Sequence, residues 1–316
     1  MTKITRKKSK IILATIMTNF FLSKQKFIRL LSGLVIELVM VNNMSEATSV
    51  KPKIGIALGS GASRGFAHIG FLRAFEEAGI KIDVITGSSM GAIVGGLYAA
   101  GVPINEIQNV ASEVKRIQLV DFSPRPSKGG FVKGEKAEQI IRELIKLNNA
   151  ATTFEKTKIK FGCMATDLIS GKAVSLTKGD LADAIHASFS MAGIFRPVKI
   201  DNMLLTDGGP LSRVPVRLCR SLGADIVIGV DCAGPTIKVT EEFLNGYTKV
   251  IERFLMLSEY EISKAEFNEA DIPVSMQATH INPINIKEGL STIEVGYKEG
   301  KKAVKKLKEI LKKPLI

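Results

Sequence analysis

Apolar and polar positions along residues 53–101 switch between two periods. KIGIAL (53–58) is a short, nearly continuous apolar run of the kind a buried strand needs, and it leads into a glycine-rich turn, GSGASRG (59–65). FAHIGFLRAFEEAG (66–79) then sets Ile69, Leu72, Phe75 and Ala78 at three-residue steps on one face, which predicts a helix ended by Gly79. IDVITG (82–87) reads as a second strand, GSSMG (87–91) as a turn, and AIVGGLYAAG (92–101) as a small-residue helix stopped by Gly101 and Pro103. Strand, helix, strand, helix in this order implies parallel strands joined by crossover helices, an α/β arrangement.

Further along, residues 104–150 read as mostly helical, interrupted by a Gly/Pro-rich loop, DFSPRPSKGG (121–130), that is a candidate lid. KIKFGCMATDL (158–168) and KAVSLTKG (172–179) predict two strands joined at Ser170-Gly171, and ADAIHASFSMAG (182–193) predicts a helix. VKIDNMLLTDGG (198–209) reads as a hairpin-like strand pair ending in a glycine turn, SRVPVRLCRSLG (212–223) as a short helix, and ADIVIGVDC (224–232) as a buried strand. A long helix over 241–270, a last strand in VSMQATHINP (274–283) and a terminal helix over 290–313 complete the expectation.

Residues 1–50 stand apart as a basic and apolar extension, leaving 51–316 as the catalytic-domain candidate. The extension begins Lys3, Arg6, Lys7, Lys8, Lys10 and carries two apolar blocks, IILATIMTNFFL and FIRLLSGLVIELVMV, split by SKQK. Neither block reaches the ~18 to 20 uninterrupted apolar residues of a membrane span. Three readings fit it: an amphipathic membrane-surface anchor, a poor signal peptide, or a segment upstream of a true start at Met44. A cytoplasmic or peripherally membrane-associated protein is the matching expectation.

The net charge of +13 changes meaning once it is located. Residues 1–50 and 296–316 carry +6 each, so 51–295 carry only +1. A basic groove for nucleic acid is not implied. The C-terminal KEGKKAVKKLKEILKK crowds lysines on one side and Val304, Leu307, Ile310 and Leu311 on the other, which fits either a helix packed on its domain or peripheral contact with anionic lipid. Cys163, Cys219 and Cys232 lack C-x-x-C spacing and read as reduced, buried thiols, and with three histidines in no ligand spacing no metal site is expected.

The chemistry gathers in three places. GSSMG fits G-x-S-x-G with Ser89 at its centre between strand and helix, where Gly87 and Gly91 let the chain turn sharply and expose the hydroxyl. The loop 59–65, also between strand and helix, presents backbone N–H groups to an anion, either a dinucleotide pyrophosphate or an oxyanion. The dinucleotide fingerprint requires glycine where Arg64 stands, so the oxyanion reading is favoured, with Gly59, Gly61, Ala62, Arg64 and Gly65 as its loop. A base is needed as well. Asp207, in TDGG with Gly208 and Gly209, is one candidate, and His280 is the other because Ser89, Asp207, His280 has the chain order of an α/β-hydrolase triad. His68 and His186 read as structural or surface residues.

These residues together resemble the patatin family of lipid acyl hydrolases. The loop GSGASRGFAHIG, the elbow GSSMG and TDGG match in order and spacing, ADAIHASFSMAGIFRPV resembles the family's segment before its second catalytic motif, and the likeness covers about residues 53–235. The resemblance implies a patatin-like three-layer sandwich with a mainly parallel central sheet. It further implies a Ser89–Asp207 dyad without histidine, an oxyanion held by amides around Gly61 and Ala62, Arg64 ordering the loop, a structural His68, and no cofactor. Its substrate class is a fatty-acyl lipid: phospholipid, lysophospholipid or another ester. A catalytically silent lipid-binding adaptor on the same scaffold is the contrasting expectation. Ser60 and Ala62 interrupt a loop that is often all glycine, so a positive φ at either position would be costly, and Ala192-Gly193 stands where Pro-Gly is frequent.

Overall fold

The structure, a computed structural model, describes residues 51–113, 121, 129–234, 239–276, 281–282 and 285–312. The 1–50 extension, most of the candidate lid and His280 lie outside the described residues. Contacts divide the chain into two units, Met1–Lys51 and Pro52–Ile316, and the elements below all belong to the second.

Among the described residues, eight strands form one sheet. Its parallel part comprises β1 (Ile54–Leu58), β2 (Val84–Ser88), β3 (Lys160–Asp167), β7 (Ile226–Asp231) and β8 (Ile272–Ser275), in the order β3-β2-β1-β7-β8. Three antiparallel strands complete it: β4 (Lys172–Leu176), β5 (Val198–Ile200) and β6 (Met203–Asp207). The last strand begins earlier than its sequence pattern suggests, because Ile272 and Val274 pair with Ile228 and Val230 of β7 and are buried there. Pro273 is tolerated because β8 is an edge strand.

Strand alternation sends side chains to two cores, one on each face of the sheet. Ile54, Ile56, Leu58, Ile85, Ile226, Ile228 and Val230 share one core with α1 (Ala67–Glu77), α2 (Met90–Ala100) and α5 (Leu181–Phe189). Ala57, Val84 and Val227 face the other, against Val216 and Cys219 of α6 (Val216–Ser221). Helix, sheet, helix is the three-layer order that the resemblance implies. Helices α3 (Ile104–Glu113) and α4 (Glu135–Leu147) follow α2, and α7 (Tyr247–Phe267) is the long helix, shorter at both ends than its pattern implied. The terminal helix is preceded by a separate turn, α8 (Ile286–Leu290), before α9 (Thr292–Leu311). Asn285 caps the start of α8 by accepting hydrogen bonds from the amides of Lys287 and Glu288, and Ser291 separates α8 from α9. Among the described residues no helix is long and apolar enough to cross a membrane. The three cysteines are buried and unbridged.

α9 lies on α1 with almost no space between the backbones. A Cβ on Gly296 would come 1.8 Å from the carbonyl oxygen of Ala67, and one on Gly70 would come 1.9 Å from that of Ile293. Ala303, Val304 and Leu307 are buried in this contact, so most of the apolar side of the lysine-rich helix is spent on its own domain rather than offered to lipid. In an open helix Gly→Ala gains up to ~1 kcal/mol. Here overpacking, at about 1 to 3 kcal/mol, outweighs that gain. Gly296→Ala is therefore expected to lower the urea midpoint, whereas an unchanged or raised midpoint would show that the two helices do not approach so closely.

Candidate active site

β2 ends at Ser88, α2 begins at Met90, and Ser89 makes the whole turn between them with φ 54° and ψ −119°. A non-glycine residue held there costs on the order of 1 to 3 kcal/mol, so its surroundings must enforce it. The Ser89 amide donates to Oγ of Ser188 at 3.1 Å, and that hydroxyl donates to the carbonyl of Met164 at 2.6 Å. The Ser89 carbonyl starts α2 by accepting from the amides of Ala92 and Ile93. The flanking glycines are required by space. A Cβ on Gly91 would lie 2.1 Å from the Leu58 carbonyl oxygen, and one on Gly87 would lie 2.4 Å from that of Gly91. Ser88 is fully buried on the strand, while Ser89 stands at the turn.

Asp207 reaches this elbow through strand register. β2 pairs along β3 as far as Ser88 opposite Met164, and β6 pairs antiparallel with Asp207 opposite Ala165, the next residue of β3. β4 pairs with Cys163–Asp167 of β3, so it must occupy the opposite edge, and β2 and β6 meet end to end along one side. The end of α5 pins the junction: Asp207 N donates to the Ser190 carbonyl at 3.0 Å and Gly208 N to the Ser188 carbonyl at 3.3 Å. Oδ1 of Asp207 accepts from the Gly209 amide at 2.7 Å, while Oδ2 has no partner at hydrogen-bonding geometry among the described residues. Burial pushes the Asp207 carboxyl up to about 7, and the charge of Glu259 adds to this. The neighbouring Ser89 hydroxyl and the Gly209 amide pull it the other way. The Ser89 hydroxyl is thus close enough to act on the Asp207 carboxyl, without a hydrogen bond of full geometry to Oδ2.

The loop after β1 forms the third side. Gly59 N donates to the Val230 carbonyl at 2.8 Å and Ser60 N to that of Arg213 at 3.0 Å, and a short 3-10 turn follows at Ala62–Phe66. The amides of Gly61, Ala62 and Ser63 meet no acceptor among the described residues. Ala62 adopts φ 48°, the positive value that the sequence marks as costly for a residue with a side chain. It is enforced from behind: Nε of Arg64 donates to the Ile281 carbonyl at 2.8 Å, Oγ of Ser63 to that of Asn282 at 3.1 Å, and Oγ1 of Thr292 to that of Arg64 at 3.1 Å. Gly65 packs on the residue after the elbow serine, since a Cβ there would lie 2.6 Å from Cβ of Met90.

The two described histidines stand outside this chemistry. Nε2 of His68 lies 2.8 Å from the Gly59 carbonyl, and burial lowers its pKa to about 4. A carbonyl can only accept, so the neutral ring carries its proton on Nε2 and holds the loop. His186 joins α5 to α4, with Nδ1 2.7 Å from Oε2 of Glu138.

Several residues support the site without belonging to its motifs. Ser188 and Ser190 tie Ser89 to the Asp207 turn, and their S-x-S spacing at the end of a predicted helix was the available signal. Arg213, whose carbonyl holds Ser60, is itself fixed by a buried ion pair with Asp231 at 2.5 Å. Glu259 accepts from the Ser60 hydroxyl. No local pattern marks the last three, because their partners are remote in sequence.

The sequence model of the family described as Patatin-like phospholipase matches residues 56–220, which contain the loop, the elbow and Asp207. An uncharacterised NTE family protein of Mycobacterium tuberculosis is 37% identical over 206 residues, covering 62% of this chain and 56% of that protein. The lysophospholipase NTE1 of Saccharomyces cerevisiae is 30% identical over 217 residues, 66% of this chain but 12% of that one. The chain thus spans little more than half the length of the mycobacterial relatives. Among solved structures, VipD from Legionella pneumophila superposes with a TM-score of 0.50 at 12% identity, covering 81% of this chain and 67% of that chain, a likeness of fold. With its motifs in order on the expected strands and a family match over more than half its length, the chain belongs to the patatin-like phospholipase family.

Proposed function

We propose that the protein is a serine hydrolase of fatty-acyl lipid esters acting through a Ser89–Asp207 dyad. The observation that carries this reading is the end-to-end meeting of β2 and β6 on β3, which brings together a strained serine, only 8% exposed, and a carboxylate whose Oδ2 has no hydrogen-bond partner among the described residues. Ser89 attacks the acyl carbonyl while Asp207 takes its proton, and the tetrahedral oxyanion is held by the amides of Gly61 and Ala62. The leaving alcohol departs with the proton returned by Asp207. Water then releases the acyl group by the same steps in reverse order. A base with a pKa near 7 is well matched to such transfers. No metal or cofactor enters the scheme.

An acyl lipid as substrate is supported by the family and by apolar side chains at the site's margin. Met191 follows Ser190, whose carbonyl holds Asp207, and it is 40% exposed; Ile194 and Phe131, joined by a backbone hydrogen bond, are 43% and 58% exposed. These can accept the first carbons of an acyl chain. The fungal relatives named lysophospholipases point to the same substrate class.

Labelling by a fluorophosphonate probe tests the reading most directly. Wild-type protein is expected to label and to hydrolyse a fatty-acyl ester, and Ser89→Ala to do neither while remaining folded; an unlabelled wild type would favour a silent lipid-binding adaptor. Asp207→Asn should abolish turnover, and His280→Ala should leave most of it, whereas the opposite pattern would favour an α/β-hydrolase triad.

The raised pKa of Asp207 gives an independent check on stability. The folded protein binds this proton more tightly than the unfolded chain does, so its contribution is fully present below about pH 4 and is lost as pH rises through about 7. Asp207→Asn should therefore be more stable than wild type at pH 8, by on the order of a few kcal/mol, with the difference vanishing towards pH 4 in urea titrations.

A further inference from the structure

Ser60 breaks the glycine run of the loop, and its hydroxyl has a specific destination: it donates to Oε1 of Glu259, 199 residues further along the chain on α7. The same carboxylate lies beside the base. A Cβ placed on Gly209 would come within 2.8 Å of Oε1 of Glu259, 3.0 Å of Oδ1 of Asp207 and 3.1 Å of Oγ of Ser60. The loop that carries the free amides, the turn that carries Asp207 and the long helix therefore converge on one point. A carboxylate is an expensive group to enclose there, since an apolar side chain would fill the space without desolvation cost. It is used instead, as the acceptor that fixes the side chain of Ser60, whose backbone is already fixed by Arg213.

We infer that Glu259 is a positioning residue of the site: by holding Ser60 it sets the loop bearing the Gly61 and Ala62 amides against the Asp207 turn. This rests on the hydrolase reading above. Because oxyanion stabilisation depends on donors fixed before the reaction, loosening this contact acts on kcat more than on KM. It also acts on the base. The charged groups facing Glu259 are Asp207 across the Gly209 turn, Arg213 before α6 and Asp231 at the end of β7. Glu259 raises the Asp207 carboxyl, while desolvation raises Glu259 itself and the charge of Arg213 lowers it.

Steady-state kinetics of the full chain on a soluble fatty-acyl p-nitrophenyl ester test this. Glu259→Ala and Ser60→Ala are each expected to lower kcat about tenfold to hundredfold, the scale of a hydrogen bond to a charged group, with KM changed by no more than about twofold. The double variant should be no slower than the slower single one, because both remove the same contact. Glu259→Gln keeps the acceptor oxygen and removes the charge; it should recover most of the loss seen in Glu259→Ala and move the acid limb of kcat/KM to lower pH. Multiplicative losses in the double variant, or wild-type kcat in both single variants, overturn the assignment. Should circular dichroism show that Glu259→Ala does not fold, Ser60→Ala and Glu259→Gln decide it: wild-type kcat in the first with an unmoved acid limb in the second overturns it. A wild type without Ser89-dependent turnover overturns the hydrolase reading and this assignment together, whereas Ser89-dependent turnover indifferent to these substitutions overturns the assignment alone.

Discussion

One edge of β3 serves two strands, and the site depends on that sharing. β2 occupies it from Val84 to Ser88 and β6 takes over with Asp207, so the two chain ends face each other across a single step of β3 register. Strand pairing has a period of two, and a slip of one residue would turn Asp207 to the other face of the sheet. The register is held by more than the ladder. Ser188 and Ser190 at the end of α5 bond both sides of the junction, so the end of this helix fixes Ser89 and Asp207 relative to one another.

Strain collects at the same place. Ser89 and Ala62 both carry positive φ without being glycine, and each is braced by contacts from distant chain segments. The elbow is braced by α5 and by the backbone of β1, which comes so close to Gly91 that no side chain fits. The loop after β1 is braced by Ile281, Asn282 and Thr292, so the C-terminal segments act as a clamp on a turn more than two hundred residues earlier. Held in this way the loop keeps the amides of Gly61, Ala62 and Ser63 without an acceptor among the described residues, which a relaxed turn would not.

The site also accepts an electrostatic cost. Asp207 is buried, lies near a second carboxylate and lacks a full set of hydrogen bonds, all of which disfavour its ionised form. A group optimised for stability would be paired or neutral. Its raised pKa places it in the range in which a carboxylate can both accept and return a proton near neutral pH. Glu259 belongs to the same economy of charge, since its carboxyl is shifted up by burial and its acceptor oxygen is used to hold the loop.

The sequence by itself determined the alternation of strands and helices, the three motifs and their placement on turns, because each rests on local period and on residues within a few positions of one another. The GSSMG elbow, the loop from Gly59 and the TDGG turn were all legible in this way. It did not determine that Ala62 would take the costly backbone conformation, or that the apolar side of the lysine-rich terminal helix would be spent on α1, since both follow from contacts with remote chain. Only the tertiary structure decided how Asp207 is brought to Ser89 and what holds the loop. Asp207 arrives by a shared strand edge, and Ser188, Arg213 and Glu259 arrive by packing. Such proximity is set by sheet register and helix docking, and no residue spacing along the chain encodes it directly.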